Sequence, residues 1–439
     1  MRIFSLFITT LVLSSSSSFV YAESNGAEIS CNSVQELLKE VPPLRGLDFK
    51  EEVPCKLSSK SDVERYLDSI LSKESTASKL EKEEVIFKAL GIIPSDYPYK
   101  SGLINLYREQ IGGYYNPDEK YYVMASWMPI SLQAPIAIHE LTHALQDQHF
   151  NLKELMDENL MSDELLARSA LIEGDATIIM TDYSRKGIGV SSIKGDESVS
   201  SFMLQTILAS SFGSAMQKAP PALQSMLMFP YISGIRFAHA LLREGGFELI
   251  NKAITNPPLG SNEILHPEKY LARIALEDSD SDSVASEPSS RLGCEKSPSF
   301  NDVSFTLSHE DILGEFGTSV FFIAYGMTQK GTKIASHWSD DRVCFYEHGD
   351  KRLVSWEHAW SDESARDRFL SEVRSLFEER FGLEEMEFGT QYKVRTRDGE
   401  VSGVRIGEVS EVGSLIRFFV APPPERESGD SLRQMAPSS

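Results

Sequence analysis

The chain is short of basic residues, of cysteine and of long apolar runs, and each shortage narrows what it can be. Lys and Arg number 43 against 65 Asp and Glu, for a formal net charge of −22. A field of that sign repels phosphate backbones and argues against nucleic acid as a partner. Cysteine occurs only at Cys31, Cys55, Cys294 and Cys344, with none of the close spacing of a zinc–thiolate site. After the first residues no segment approaches the roughly 20 apolar residues that a spanning helix needs, so stable membrane insertion is not expected of the processed chain. No internal repeat is present. What remains is globular in composition: 41% of 439 residues are hydrophobic and 10% aromatic, too many for a disordered chain. That length predicts two or three domains.

The N-terminus reads as an export signal over residues 1–22. Arg2 supplies the positive start and Ile3 to Leu13 the apolar stretch, interrupted by Ser5, Thr9 and Thr10. A serine run leads to Val20-Tyr21-Ala22, a small-x-small cleavage pattern before Glu23. The expected location is secreted or periplasmic. Cys31 follows Ala27-Glu28-Ile29-Ser30, which is too polar for a lipoprotein signal. An even cysteine count in an exported chain suggests disulfides. Chain order suggests Cys31–Cys55 and Cys294–Cys344, although four cysteines allow three pairings.

Apolar periodicity divides the rest. Residues 23–90 form a helical region, either a propeptide or an arm on the catalytic unit, with Val34, Leu37, Leu38, Val63, Tyr66, Leu67, Ile70 and Leu71 at helical spacing. Gly112 to Met124 reads as a β-hairpin around Asn116-Pro117-Asp118-Glu119. Helices are expected from Ala134 to about Leu152, Asp163 to about Tyr183, Ser200–Met216, Ile232–Arg243 and Phe247–Ile254. These place a catalytic domain at residues 91–276. A Ser/Asp/Glu-rich flexible loop covers 277–300, and an α+β module covers 301–421. That module should hold helices at Ser319–Thr328 and Glu363–Phe381 and strands near Arg342–Tyr346, Arg352–Trp356, Thr390–Arg395, Val401–Ile406 and Leu415–Val420. Residues 422–439 read as a disordered tail.

The chemistry concentrates at His139-Glu140-Leu141-Thr142-His143. Four residues apart on a helix, both imidazoles share a face and reach one cation. Zn²⁺ accepts neutral imidazole nitrogen readily. Glu140 stands next to the ligand row without joining it, as a general base must. Bound Zn²⁺ lowers the pKa of its water toward ~7, within reach of a carboxylate base. A catalytic site needs a third protein ligand, and Glu173 in Ala170-Leu171-Ile172-Glu173-Gly174-Asp175-Ala176 is the candidate. Its small neighbours let this helix approach the motif helix, and a cation removes the cost of burying its charge among Leu171, Ile172 and Ile178. Asp175 is placed to hydrogen-bond a ligating histidine and fix its tautomer. No Gly-x-x-His follows His143, so a third-histidine site is not indicated. His149 falls off the ligand face; His239 reads as a core histidine; His309, His337, His348 and His358 have no ligand spacing.

The run from His139 to Gln148, followed by Glu173-Gly174-Asp175-Ala176, resembles the gluzincin clan of zinc metallopeptidases. It is also similar to a prokaryotic group of exported or membrane-associated proteins with the same histidine motif. Further shared pieces are Gly113 to Pro117, Phe229-Pro230-Tyr231, Leu265 to Tyr270, Leu313-Gly314-Glu315 and Trp338-x-x-Asp341-Arg342. The resemblance implies a zincin-like α+β core that hydrolyses peptide bonds with Zn²⁺. In it His139, His143 and Glu173 are the metal ligands and Glu140 is the base. It also implies an oxyanion donor after the third ligand, for which His266, Tyr231 and Tyr270 are candidates, with Pro230 and Pro267 fixing their turns. The hairpin strand at Tyr114–Met124 is placed to pair with a peptide or protein substrate. Two other functions stay open: a zinc amidase acting on cell-wall peptides, and an exported binding or scaffold protein that keeps the metal site without catalysis.

Overall fold

A computed structural model describes residues 31–71, 73–125, 130–200, 214–279, 292–300, 302–387, 391–395, 401–407 and 415–421. The export signal, residues 23–30, most of the expected helix at 200–216, the middle of the 277–300 loop and the tail at 422–439 lie outside them. The fold is mixed α+β. It divides into two compact units, one of Met1–Glu84, Asp96–Ser289 and Leu313–Ser336, the other of Val85–Ser95, Ser290–Ile312 and His337–Ser439. The units therefore interleave in sequence, unlike the boundaries expected at residues 90 and 300.

The first unit carries α1 (Cys31–Leu38), α2 (Val41–Arg45), β1 (Cys55–Ser58), α3 (Lys60–Leu71), most of α4 (Glu74–Leu90), α5 (Tyr99–Gln110), β2 (Gly113–Asn116) and β3 (Tyr121–Ala125). Then follow α6 (Ile130–Phe150), α7 (Leu152–Leu155), α8 (Ser162–Gly187), α9 (Ser214–Lys218), α10 (Pro221–Thr255), α11 (Ser261–Leu265), α12 (Pro267–Ser279), α13 (Gly314–Ala324) and α14 (Thr328–Ala335). Its centre is α8, buried on nearly every side from Leu165 to Met180. Asp163 and Glu164 in its first turn and Arg185 and Lys186 in its last complement the helix dipole. α6, α10 and α13 pack on α8. That packing explains why residues 313–336 join this unit: α13 buries Phe316, Val320, Phe321 and Phe322.

The small sheet of this unit has the order β1-β3-β2. β3 runs parallel to β1, with Cys55 opposite Tyr122, and antiparallel to β2, with Tyr115 opposite Tyr122. In the β2–β3 turn, Asn116 Oδ1 accepts from the backbone N–H of Asp118 and Glu119, and Lys120 takes φ 58°. β1 has no clear signal in the sequence, because Cys55-Lys56-Leu57-Ser58 is short and half exposed. The disulfide Cys31–Cys55 joins β1 to α1.

α10 agrees with one expectation and corrects another. Its break falls at Gly246, with φ 68° and ψ −162°, in the gap left between the two expected helices. Upstream, however, the helix runs back to Pro221 and passes through Pro230. Pro230 is thus inside a helix rather than fixing a turn, and burial of Phe229, Tyr231 and Ile235 outweighs its missing hydrogen bond. Pro267 does take its expected boundary position, opening α12.

α8 and α10 touch backbone to backbone. A Cβ at Gly174 would overlap the Gly234 carbonyl, and a Cβ at Gly234 would overlap the Ala170 carbonyl. The small residues beside Glu173 therefore serve contact with α10; the α6 side of α8 is a separate face.

The second unit is built on a six-stranded sheet of order β6-β7-β8-β11-β10-β9, antiparallel in every described pair. Its strands are β6 (Thr306–Asp311), β7 (Trp338–His348), β8 (Lys351–Trp360), β9 (Gln391–Arg395), β10 (Val401–Gly407) and β11 (Leu415–Ala421), after a short pair β4 (Ser299–Phe300) and β5 (Val303–Ser304). α15 (Glu363–Phe381) packs on β8 and β11. Asp362 caps it by accepting from the Ala365 N–H at 2.8 Å, and Gly382 ends it at φ 65°. Phe300, Phe305, Tyr346, Leu353 and Phe419 form a core cluster around the Cys294–Cys344 disulfide. Asp341 is buried and accepts from the indole N–H of both Trp338 and Trp356, at 3.0 and 2.8 Å. The Trp338-x-x-Asp341 motif is thus a clamp within this sheet.

Both disulfides follow chain order. Among the described residues, no helix is long and apolar enough to cross a membrane.

The helix crossing gives a direct test. Gly234→Ala should destabilise the protein by about 1–3 kcal/mol, because neither backbone can yield without repacking. A urea-unfolding midpoint equal to wild type would show that the two helices do not touch there.

Candidate metal centre

α6 is apolar on its buried side, with Ile136, Ala137, Ile138, Leu141, Ala144 and Leu145 all in the core. That burial carries His139, Glu140 and His143 inward as well, and each is almost fully enclosed. α8 brings Glu173 to the same place. Its Oε2 lies 3.0 Å from Nε2 of His139 and 3.6 Å from Nε2 of His143. The two imidazoles meet edge to face, with centroids 4.6 Å apart.

These separations suit a cation. Ligand atoms held at about 2.0–2.1 Å around tetrahedral zinc stand about 3.3–3.4 Å apart. The ligand atoms of His139, His143 and Glu173 all lie within 4.8 Å of one another, and this is the group of three or more metal-type side chains found among the described residues. Nε2 of His143 is buried without a hydrogen-bond partner among those residues. A cation is the simplest way to satisfy that nitrogen, since an unpartnered buried polar atom is costly.

Electrostatics within the trio divide the protons. Burial is the strongest influence on His139 and leaves its pKa below the usual imidazole range. Burial presses His143 the same way, but the facing Glu173 carboxylate outweighs it and raises His143. Glu173 is disfavoured as an anion by burial, yet the charge of the nearby His143 and the bond from His139 hold its pKa below the usual carboxylate range. A cation bound between these side chains would take over this role of His143.

Glu140 is held from the sheet. The Tyr115 backbone N–H donates to Glu140 Oε2 at 2.8 Å, and the Tyr115 hydroxyl donates to Asp147 Oδ2 at 2.8 Å. Lys120 Nζ pairs with the same Asp147 oxygen, while Oδ1 accepts from the Leu152 N–H. One residue of β2 thus grips α6 at two points, seven residues apart in that helix.

Asp175 does not reach a ligating histidine directly, as the sequence suggested. His143 Nδ1 bonds Gln146 Oε1 at 2.8 Å, and Gln146 Nε2 donates to Asp175 Oδ2 at 2.8 Å and to the Ile172 carbonyl at 3.2 Å. Gln146, three residues past His143, fills the gap that separates the two helices. Asp175 also pairs with the buried Arg45. Gln146, Tyr115 and Arg45 escaped sequence reasoning. Gln146 carried a signal as an amide on the motif helix, and Tyr115 as part of the Gly113–Pro117 piece; Arg45 carried none.

The three oxyanion candidates are placed differently. The Tyr270 hydroxyl donates to the Asn256 carbonyl at 3.0 Å, and its ring packs edge-on against Phe237, so it is a core residue. His266 Nε2 bonds Glu315 Oε1 at 2.8 Å. That pair belongs to a corner where Phe229 stacks on Phe316, Asp163 accepts from the Ser261 N–H, and Gly314 at φ 75° fits where a Cβ would overlap Asp163. Asp163 is ten residues before Glu173, about 15 Å along α8. Tyr231 is buried on α10 one turn before Gly234, where that helix crosses α8 beside Glu173. His239 bonds the Ile193 carbonyl and His149 the Asp48 carbonyl, in keeping with structural roles.

The site generates three expectations. Wild-type protein should bind about one zinc per chain and His143→Ala essentially none, by elemental analysis after desalting. In metal-free protein, the depressed Glu173 contributes stability that is lost as pH falls through its folded-state value. The raised His143 contributes stability that is lost as pH rises through its own, so the pair supports the fold between the two. Zinc must displace the His143 proton. Its affinity should therefore fall by roughly tenfold per pH unit below the His143 pKa. A pH-independent affinity from calorimetric titration would contradict this.

A family model described as a domain of unknown function (DUF8575) matches residues 304–415, a stretch that contains none of the metal-centre residues. No curated protein and no solved structure matches the chain.

Proposed function

We propose that the protein is a zinc metallopeptidase with a zincin-like core, of the gluzincin type, that hydrolyses peptide bonds outside the cytoplasm. One observation carries the reading: two buried imidazole nitrogens and the Glu173 carboxylate converge, with the Glu140 carboxylate fixed beside them by the Tyr115 N–H. When bound, the cation supplies Lewis acidity toward a water and a carbonyl oxygen. Glu140 accepts the proton of the attacking water and hands it to the leaving amine. The Tyr115 N–H keeps Glu140 off the ligand row, so it stays a base. The edge of β2 that the sequence offered to an extended substrate is buried along its whole length, and its outward Tyr115 N–H is spent on Glu140. By the family resemblance, Tyr231 supplies the hydroxyl that steadies the oxyanion. The two disulfides suit an oxidising compartment.

Glu140→Gln separates this reading from a scaffold that keeps only the metal. Zinc content should be unchanged, while cleavage of a quenched peptide library falls about 10²–10⁴-fold. Equal turnover in the variant would remove Glu140 from the chemistry. No turnover by wild-type protein on peptides, with cleavage of cell-wall peptide amides instead, would move the substrate class. Tyr231→Phe should lower kcat about 10²-fold with KM and zinc content little changed.

A further inference from the structure

Arg45 is the last residue of α2, 130 positions before Asp175 in the sequence, and its side chain is wholly buried. It stands in the segment that sequence analysis left open as a removable propeptide. Its Nε lies 2.8 Å from Asp175 Oδ1 and 2.9 Å from Oδ2, with the angle favouring the bond to Oδ2. Its Nη2 donates to Asn251 Oδ1 at 2.8 Å, and its guanidinium lies over the Phe247 ring at 4.8 Å. The group is thus clasped by α8 on one side and α10 on the other.

From Arg45 a line of hydrogen bonds reaches the metal centre with no choice of direction along it. The Asp175 carboxylate and the Ile172 carbonyl only accept, so the end of the Gln146 amide facing them is its NH₂. Gln146 Oε1 therefore faces His143, and His143 must carry its proton on Nδ1 to donate to it. In the neutral imidazole that tautomer leaves Nε2 with its lone pair directed at Glu173, on the side where a cation would be held. Reversing the Gln146 amide would reverse the tautomer and put a proton where the cation belongs.

We propose that Arg45 is a positioning residue of the metal centre, acting on His143 through Asp175 and Gln146, and that the segment bearing it is a permanent part of the site. The inference rests on the metal-binding reading above. Loss of the segment would leave the Asp175 carboxylate buried without its cation, free to release or turn Gln146. It would also strip β3 of its parallel partner β1 and with it the Cys31–Cys55 tether. Activation by removal of residues 31–58 is therefore excluded, and any maturation cut falls before Cys31.

The test is zinc affinity of the full-length protein, measured by competition with a chromophoric chelator. Gln146→Met is close in volume, keeps the Arg45–Asp175 pair and cuts only the link to His143. The double variant Arg45→Met with Asp175→Leu replaces the buried pair by apolar groups, a change that commonly preserves folding, and cuts the same link farther out. Both should bind zinc about 10–100-fold more weakly than wild type while their urea midpoints stay near it. A purely structural role for Arg45 would instead leave zinc affinity unchanged in the double variant. Unchanged affinity in Gln146→Met overturns the link even if the double variant fails to fold. Wild-type protein that binds no zinc removes the metal reading itself, a separate failure. N-terminal sequencing of zinc-loaded protein from its natural producer should show a chain starting before Cys31; a start after Arg45 overturns the permanence of the segment.

Discussion

Glu173 is a carboxylate at the centre of a helix that water does not reach, and the first unit is arranged around that fact. An isolated buried carboxylate is costly in an apolar interior. Here it is met from α6 by two imidazoles at 3.0 and 3.6 Å, which share its charge in the metal-free protein. α8 can be this deeply buried only because α6, α10 and α13 enclose it. The helices thus make the environment in which three polar side chains have no alternative but one another or a cation. Low dielectric strengthens what they do to a cation, just as it penalises any one of them left alone.

Two layers of support surround the trio, and they come from opposite directions. From the sheet, Tyr115 fixes Glu140; from within α6, Gln146 fixes His143, backed by Asp175 of α8 and Arg45 of the N-terminal segment. On the far side of α8, Gly174 and Gly234 remove the side chains that would hold α10 away. A bulkier residue at Gly174 would overlap the Gly234 carbonyl and force α8 and α10 apart, because close packing leaves no slack to absorb it.

Much of this was legible in the sequence, and the limits follow from which interactions are local. His139 and His143 could be paired because four residues return a helix to the same face. The strands and helix of the second unit stood out through period-two and helical patterning, as with Glu363–Phe381. Both disulfides followed chain order. Whether Asp175 meets a histidine, however, depends on the rotation and separation of two helices, and Gln146 turned out to span that distance. Arg45 was invisible because its partner is 130 residues away and nothing around it marks a buried charge. Pro230 misled for the converse reason: a strong local signal was overridden by burial on both sides of it. His266 was singled out by its neighbours in a motif, and those neighbours proved to build a packed corner with Glu315, Asp163 and Phe316.

Tyr115 lends the hairpin a second meaning. Along a strand, successive N–H groups point to opposite edges, and the Tyr115 N–H is the one that points away from β3 toward Glu140. A slip of one residue in the β2–β3 pairing would turn that N–H inward and carry its hydroxyl away from Asp147. The length of the Asn116–Lys120 turn, set by the Asn116 side chain and the left-handed Lys120, is therefore a molecular ruler for the Tyr115–Glu140 bond. Insertions there would change which backbone group meets Glu140.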